Sequence, residues 1–273
     1  MRLIRRAILF IAVAYIAVAG WMFTSQRSML YATADNGALA ATNWTAIAGT
    51  NRFAIETADG EKLASWYVPP QAGKPVFLFF HGKGGGLERK KWRWARVRKA
   101  GYGILAFSYR GYPGSTGSPS EAGLVRDAEA VYAWLRKRHQ ADKIILHGLS
   151  LGTGVAIALA NKVKVRAVVL EAPYTAVVDV AAERYPWLPV HLLMWDQFLS
   201  RERIETVKAP VLIVHGTKDT VIPFEHAKRL YARARDPKKF VAMPGSDHST
   251  LVRDGIYPHI WQFLAETTTA SSS

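Results

Sequence analysis

Gly148-Leu149-Ser150-Leu151-Gly152 lies between the apolar run Lys143-Ile144-Ile145-Leu146-His147 and an Ala- and Val-rich stretch at residues 151–162. The first reads as a strand and the second as a helix, which makes the pentapeptide a G-x-S-x-G turn joining them. A serine on so sharp a strand-to-helix turn stands with its hydroxyl exposed above a sheet, and the flanking glycines let neighbouring backbone pass close by. The same five letters could be a Gly-rich turn with an idle serine. What separates the two readings is whether partners for the serine follow downstream.

Around this turn, strands and helices alternate. Residues 53–57 and 63–68, separated by Asp59-Gly60, form a predicted hairpin. Further strands are predicted at 76–80, 103–107, 143–147, 165–170, 211–215 and 240–242. Helices are predicted at 87–100, 120–138, 151–162, 224–235 and about 257–265, with Leu124, Ala128, Val131 and Leu135 on one face of the second. Short apolar strands alternating with helices predict an α/β fold, a mostly parallel central sheet with helices on both faces. Residues 173–210 interrupt the alternation. The segment is long for a connection and rich in apolar side chains, so it is expected to form a small lid above the strand ends. The expected division is a membrane anchor (or signal peptide) at 1–25, a linker at 26–50, the main domain at 51–266 and a low-complexity, disordered tail at 267–273.

Composition narrows the function. With 49% apolar and 21% charged residues, the 273-residue chain is neither disordered nor polytopic as a whole. The absence of cysteine excludes a disulfide scaffold, a zinc–thiolate site, an iron–sulfur cluster and a cysteine nucleophile. The net charge of +15 is concentrated: Arg2, Arg5 and Arg6 open the chain, and residues 88–99 carry seven basic side chains and one acid. No nucleic-acid-binding motif accompanies this charge, so no nucleic-acid partner is expected. Anionic lipid is the better match. Residues 7–23 carry no charge, a length at the short end of a membrane span. An uncleaved anchor is favoured because Trp21 suits the far interface, while Ala17-Val18-Ala19 leaves a cleavable signal peptide as the alternative. The arginines ahead of the span predict a cytoplasmic N-terminus, with the domain across the membrane (periplasmic in a Gram-negative cell). Trp92 and Trp94 among the cations of 88–99 either rest on headgroups or turn to the core.

A serine attacks at neutral pH only if a histidine takes its proton and an acid orients that histidine. The order to look for is Ser, then Asp or Glu, then His. Of the downstream histidines, His215 ends a strand and precedes any plausible acid, His226 and His259 fall in helices, and His191 falls in the insertion. His248 lies in the loop Pro244-Gly245-Ser246-Asp247-His248 and is the expected base. Asp219, four residues past a strand end, is the favoured acid, with Glu171 as its rival. Asp247 is expected only to shape the loop. An oxyanion hole needs backbone N–H donors aimed at the developing charge. Leu151, after the nucleophile, and Lys83, in His81-Gly82-Lys83-Gly84-Gly85-Gly86, are the expected donors, while His81 is expected to be structural. The glycine run lacks the spacing of a phosphate-binding loop. No metal or organic cofactor is implied.

These residues resemble the α/β-hydrolase family, and within it the membrane-anchored single-domain group whose eukaryotic members include protein depalmitoylases. The matching stretches are Gln26-Arg27-Ser28-Met29-Leu30-Tyr31, His81-Gly82, Tyr109-Arg110-Gly111-Tyr112-Pro113-Gly114-Ser115, the serine turn, Glu183-Arg184-Tyr185-Pro186-Trp187-Leu188-Pro189, residues 215–223 and residues 245–248. The resemblance implies the α/β-hydrolase fold, with Ser150 as nucleophile, Asp219 as acid and His248 as base. Lys83-Gly84-Gly85-Gly86 departs from the Asn-Ala-Gly that relatives often carry, and the depalmitoylases' cysteine-rich N-terminus is absent, so their substrate does not transfer. The expected function is therefore a serine hydrolase of carboxylic esters or thioesters acting through an acyl-enzyme. Peptide cleavage and a membrane-tethered binding role are the alternatives. Trp187, Leu192, Trp195 and Phe198 of the lid are the expected acyl-chain contacts, although each could equally pack the lid onto the core.

Overall fold

The structure is a computed structural model that describes residues 1–33, 51–84, 87 and 91–269. Most of the expected 26–50 linker and Ala270–Ser273 of the expected tail lie outside the described residues. Among the described residues, one eight-stranded sheet runs through the domain. In chain order its strands are β1 (Asn51–Glu56), β2 (Lys62–Val68), β3 (Val76–Phe80), β4 (Gly103–Phe107), β5 (Ile144–Leu149), β6 (Ala167–Glu171), β7 (Val211–Gly216) and β8 (Lys238–Met243). Their spatial order is β1-β2-β4-β3-β5-β6-β7-β8. The first two strands form the expected antiparallel hairpin, and β2 runs antiparallel to β4. All remaining pairings are parallel.

Strands β3 to β7 are buried along their whole length because both faces of the sheet are covered there. Val76, Leu78 and Phe80 of β3 join one buried cluster, whereas Phe77 and Phe79 join the other. The first cluster is closed by α3 (Glu121–Arg136), α4 (Leu151–Ala160) and α8 (Phe224–Arg233). The second is closed by α2 (Lys91–Lys99) and α9 (Ile256–Thr269). Helix α3 opens on Ser120, whose hydroxyl accepts the Gly123 N–H, and buries the expected stripe of Leu124, Ala128, Val131 and Leu135. In α2, Trp94 is buried edge-on against Phe79 while Trp92 stays 44% exposed, so the two tryptophans divide between core and surface.

Some boundaries differ from the sequence reading. The N-terminal helix α1 spans Arg2–Leu30, five residues past the expected end of the anchor at 25. Its polar residues are accommodated within the helix by hydrogen-bonding back to helix carbonyls, Thr24 to Gly20 and Trp21, and Ser28 to Ser25. Helix α9 likewise continues to Thr269, into the segment expected to be a disordered tail. The 173–210 insertion contains α5 (Val177–Arg184), α6 (Val190–Leu193) and α7 (Ser200–Arg203). It has a small core of its own, in which Ala176, Val178, Leu188 and Val190 pack with Ala19 and Met22 of α1.

Candidate active site

Strand β5 ends and α4 begins within one residue. Ser150 makes that reversal at φ 52°, ψ −121°, a backbone region a side chain rarely adopts. The glycines on either side are required by space. A Cβ on Gly152 would sit 2.2 Å from the Phe80 carbonyl oxygen, and one on Gly148 would sit 2.6 Å from the Gly152 carbonyl oxygen. Ser150 donates its own N–H to the Glu171 carbonyl at 2.9 Å, which ties the turn to the end of β6.

The turn points the Ser150 hydroxyl at His248, with Oγ 2.9 Å from Nε2. The other ring nitrogen, Nδ1, lies 2.7 Å from Oδ2 of Asp219. Asp219 is held in turn by its own loop, because its Oδ1 accepts the N–H groups of Val221 and Ile222 at 2.9 and 2.8 Å. The structure thus brings Ser150, His248 and Asp219 into one hydrogen-bonded chain, although they come from the ends of three different strands. The Asp219 carboxylate can only accept, which favours an Nδ1–H tautomer and leaves Nε2 free to accept the serine proton.

A further residue supports this chain. The fully buried His215 has its Nε2 2.9 Å from the Ile222 carbonyl and 3.1 Å from Oδ2 of Asp219. A carbonyl can only accept, so this nitrogen carries the proton and donates toward both oxygens. Burial pushes the Asp219 carboxyl up, but the hydrogen bonds from His215 and His248 outweigh it and hold the group below the usual carboxylate range. Sequence reasoning set His215 aside because it precedes the acid. The i,i+4 spacing of His215 and Asp219 across a strand end was the signal available.

Glu171 is committed elsewhere. Its carboxylate forms a bidentate pair with Arg93 of α2, both distances 2.7 Å, and lies 3.3 Å from Nε2 of His147. Burial would raise its pKa, yet the Arg93 guanidinium beside it holds it well below the usual range, while burial pushes the His147 imidazole down. Asp247 shapes its loop as expected, with its carboxylate accepting the His248 N–H. His81 is buried and structural, its Nε2 accepting the Tyr109 N–H at 3.3 Å.

A cavity of about 490 Å³ stands over Ser150, and both Lys83 and Leu151 line it. The chain at Gly82 passes so close to the serine turn that a Cβ there would lie 3.3 Å from Ser150 Cβ. Leu151 opens α4, where the N–H groups have no partner within the helix. Lys83 is fixed by its carbonyl accepting from the Tyr112 hydroxyl at 3.1 Å and by its Nζ donating to the Met29 carbonyl.

The expected lid contacts need correction. The lid does wall the cavity, but through Val177, Val180, Leu188, Leu193 and Met194 rather than through Trp187, Leu192, Trp195 or Phe198. Phe198 is fully buried in the main core. Trp187, Leu192 and Trp195 are 47%, 86% and 51% exposed. Apolar composition marked the segment correctly but could not say which side chains turn inward. Sequence reasoning also missed that α1 supplies a wall: Ala19, Met22, Phe23, Gln26, Met29 and Leu30 all face the cavity. Among the described residues no cluster of metal-ligating side chains is present.

A family model described as the alpha/beta hydrolase fold matches residues 75–200. An uncharacterized protein of Mycobacterium tuberculosis is 35% identical over 272 residues, covering 96% of each chain. The alpha/beta hydrolase domain-containing protein WAV2 of Arabidopsis thaliana is 30% identical, covering 71% of this chain and 70% of its own. Lysophosphatidylserine lipase ABHD12 of Danio rerio is 34% identical, but this chain spans only 52% of its length. Among solved structures, an esterase of Pyrococcus furiosus superposes with a TM-score of 0.67 at 19% identity, covering 85% of this chain and 97% of its own, a likeness of fold.

The Arg93–Glu171 pair generates a test of stability. Both side chains are at most 5% exposed, so Glu171→Gln leaves a buried guanidinium without its counter-charge and should cost about 3 kcal/mol at pH 7. Glu171 has a depressed folded-state pKa, so its contribution is present above the unfolded value of about 4.3 and is lost as pH falls toward the folded one. Urea midpoints should therefore show the gap between wild type and variant full at neutral pH and closing below about pH 4. A gap independent of pH would contradict the ionised pair.

Proposed function

The chain belongs to the α/β-hydrolase family, and we propose that within it this protein is a serine hydrolase of carboxylic esters or thioesters. The observation that carries the reading is the unbroken hydrogen-bond chain from Ser150 Oγ through His248 to Asp219 at 2.9 and 2.7 Å. Its chemistry follows from that order. Ser150 Oγ attacks the acyl carbon as its proton passes to His248 Nε2, and the imidazolium so formed is stabilised by Asp219. The tetrahedral oxyanion is held by the N–H groups of Leu151 and Lys83. As the bond to the leaving alcohol or thiol breaks, His248 returns the proton to it, leaving an acyl-enzyme. Water then repeats the cycle and frees the acid and Ser150. Nucleophile, base and charge stabilisation all come from the chain itself, so the proposed cycle uses no cofactor.

The apolar cavity over Ser150 supports an acyl group as the part of the substrate that is bound. Each buried methylene contributes about 0.8 kcal/mol, so medium acyl chains should be preferred to acetyl. Ser150→Ala should lower kcat on p-nitrophenyl esters by about 10⁴-fold or more, and Asp219→Asn by about 10⁴-fold, with the fold intact. Across acetyl to octanoyl esters kcat/KM should climb with chain length. An alanine variant that keeps its activity would refute the nucleophile, and a flat chain-length profile would remove the cavity from substrate selection.

Helix α1 is the one segment, among the described residues, long and apolar enough to cross a membrane. With Arg2, Arg5 and Arg6 at its start, we take it as an anchor with a cytoplasmic N-terminus and the catalytic domain on the far side. Alkaline phosphatase fused after residue 33 should be active, because that reporter works only outside the cytoplasm. A well-expressed but inactive fusion would reverse the topology.

A further inference from the structure

The apolar run 7–23 of α1 is about 26 Å long, close to the thickness of a bilayer's hydrocarbon core. Among the described residues, only its first part stands free. From Tyr15 onward the helix lies against the lid: the Tyr15 hydroxyl donates to the Trp187 carbonyl at 3.1 Å, and the two rings meet edge-on at 6.1 Å. Further along, Phe23 packs edge-on against Trp195 at 5.0 Å. Gln26 bonds to the Leu193 carbonyl and the Trp195 N–H, and Arg27 pairs with Asp196 at 2.9 Å. Residues 7–14 alone would cover only about 12 Å, less than half of the hydrocarbon core. If the domain stayed wholly in water, Tyr15, Ile16, Val18, Trp21 and Phe23 would be left in water with it, though all are at least 36% exposed. The whole run enters lipid only if the lid beside it sinks to the same depth. The lid surface there carries Trp187, Leu192 and Trp195, 47%, 86% and 51% exposed, and tryptophans favour the membrane interface.

We propose that this lid surface and α1 together form a face embedded in the membrane leaflet, and that the cavity over Ser150, walled by the same helix through Met22 and Phe23, takes its acyl chain directly from a lipid ester resident in that leaflet. The substrate half of the proposal rests on the serine-hydrolase reading; the membrane half does not. The exposed lid residues then act as membrane contacts, and the inward-facing ones as acyl contacts. Anchor, lid and cavity become one device that passes a chain from bilayer to nucleophile without exposing it to water.

The chain has no cysteine, so Leu192→Cys provides a single labelling site for an environment-sensitive fluorophore on the full chain in phosphatidylcholine–phosphatidylglycerol vesicles. Lys137→Cys, at the far end of α3 from the lid, serves as the aqueous control. Lipids spin-labelled near the top of the acyl chain should quench the label at position 192 about threefold more than the one at 137, with aqueous iodide showing the reverse. Equal quenching at the two sites would overturn the proposal. In a second arm, Leu192→Glu should lower turnover of a long-chain ester in vesicles about tenfold relative to a soluble butyrate ester, since a carboxylate resists burial at leaflet depth. Quenching as expected with that ratio unchanged would refute access from the leaflet. Turnover surviving Ser150→Ala would refute the hydrolase reading and leave the quenching result standing.

Discussion

Between β5 and α4 the backbone must reverse within one residue, and Ser150 does so in a left-handed conformation that the surrounding chain has to hold. That requirement reaches well beyond the turn. It forces glycine at 148 and 152, where the Gly152 and Phe80 carbonyls leave no room for a side chain. It uses the Glu171 carbonyl as a tether for the Ser150 N–H. It also leaves the amide of Leu151 at the open end of a helix. Beneath the turn, the buried Arg93–Glu171 pair fixes the end of β6 against α2. A strand-to-helix reversal thus places a half-buried serine hydroxyl and a nearby N–H donor together from one local geometry.

The other half of the site comes from parallel pairing. Strands β5, β6 and β7 end at the same edge of the sheet, so the loops after β7 and β8 carry Asp219 and His248 over the serine. The Asp219 loop is stiffened from within by the Val221 and Ile222 amides and from below by His215. Three donors besides His248 hold a carboxylate that is fully buried, which offsets the cost of placing a charge there. The imidazole therefore meets an acid whose position and ionisation are already set.

How much of this could be read from the chain follows from how local each feature is. The serine turn, Asp219 and His248 were legible because each follows a strand and their order along the chain is constrained. Strand β3 was legible to its ends, since a run buried on both faces is bounded where apolarity stops. In β8, Lys238 and Lys239 hid the first two residues, because an edge strand tolerates lysines that hydropathy assigns to a loop. The continuation of α1 to Leu30 was hidden in the same way by polar residues bonded back to their own helix. The inward-facing residues of the lid, and α1 as a wall, were not legible at all. They depend on contacts such as Gln26 with Leu193, 167 positions apart, which no local pattern encodes.

The most direct measurement of the central claim is covalent. Treating the full chain with an alkyl fluorophosphonate and locating the adduct by peptide mass spectrometry reports which hydroxyl is activated, independently of any assumed substrate. The account predicts a single adduct on the peptide bearing Ser150, formed about 10⁴-fold more slowly in His248→Ala. An adduct on another serine, or equal labelling of Ser150 with and without His248, would contradict it.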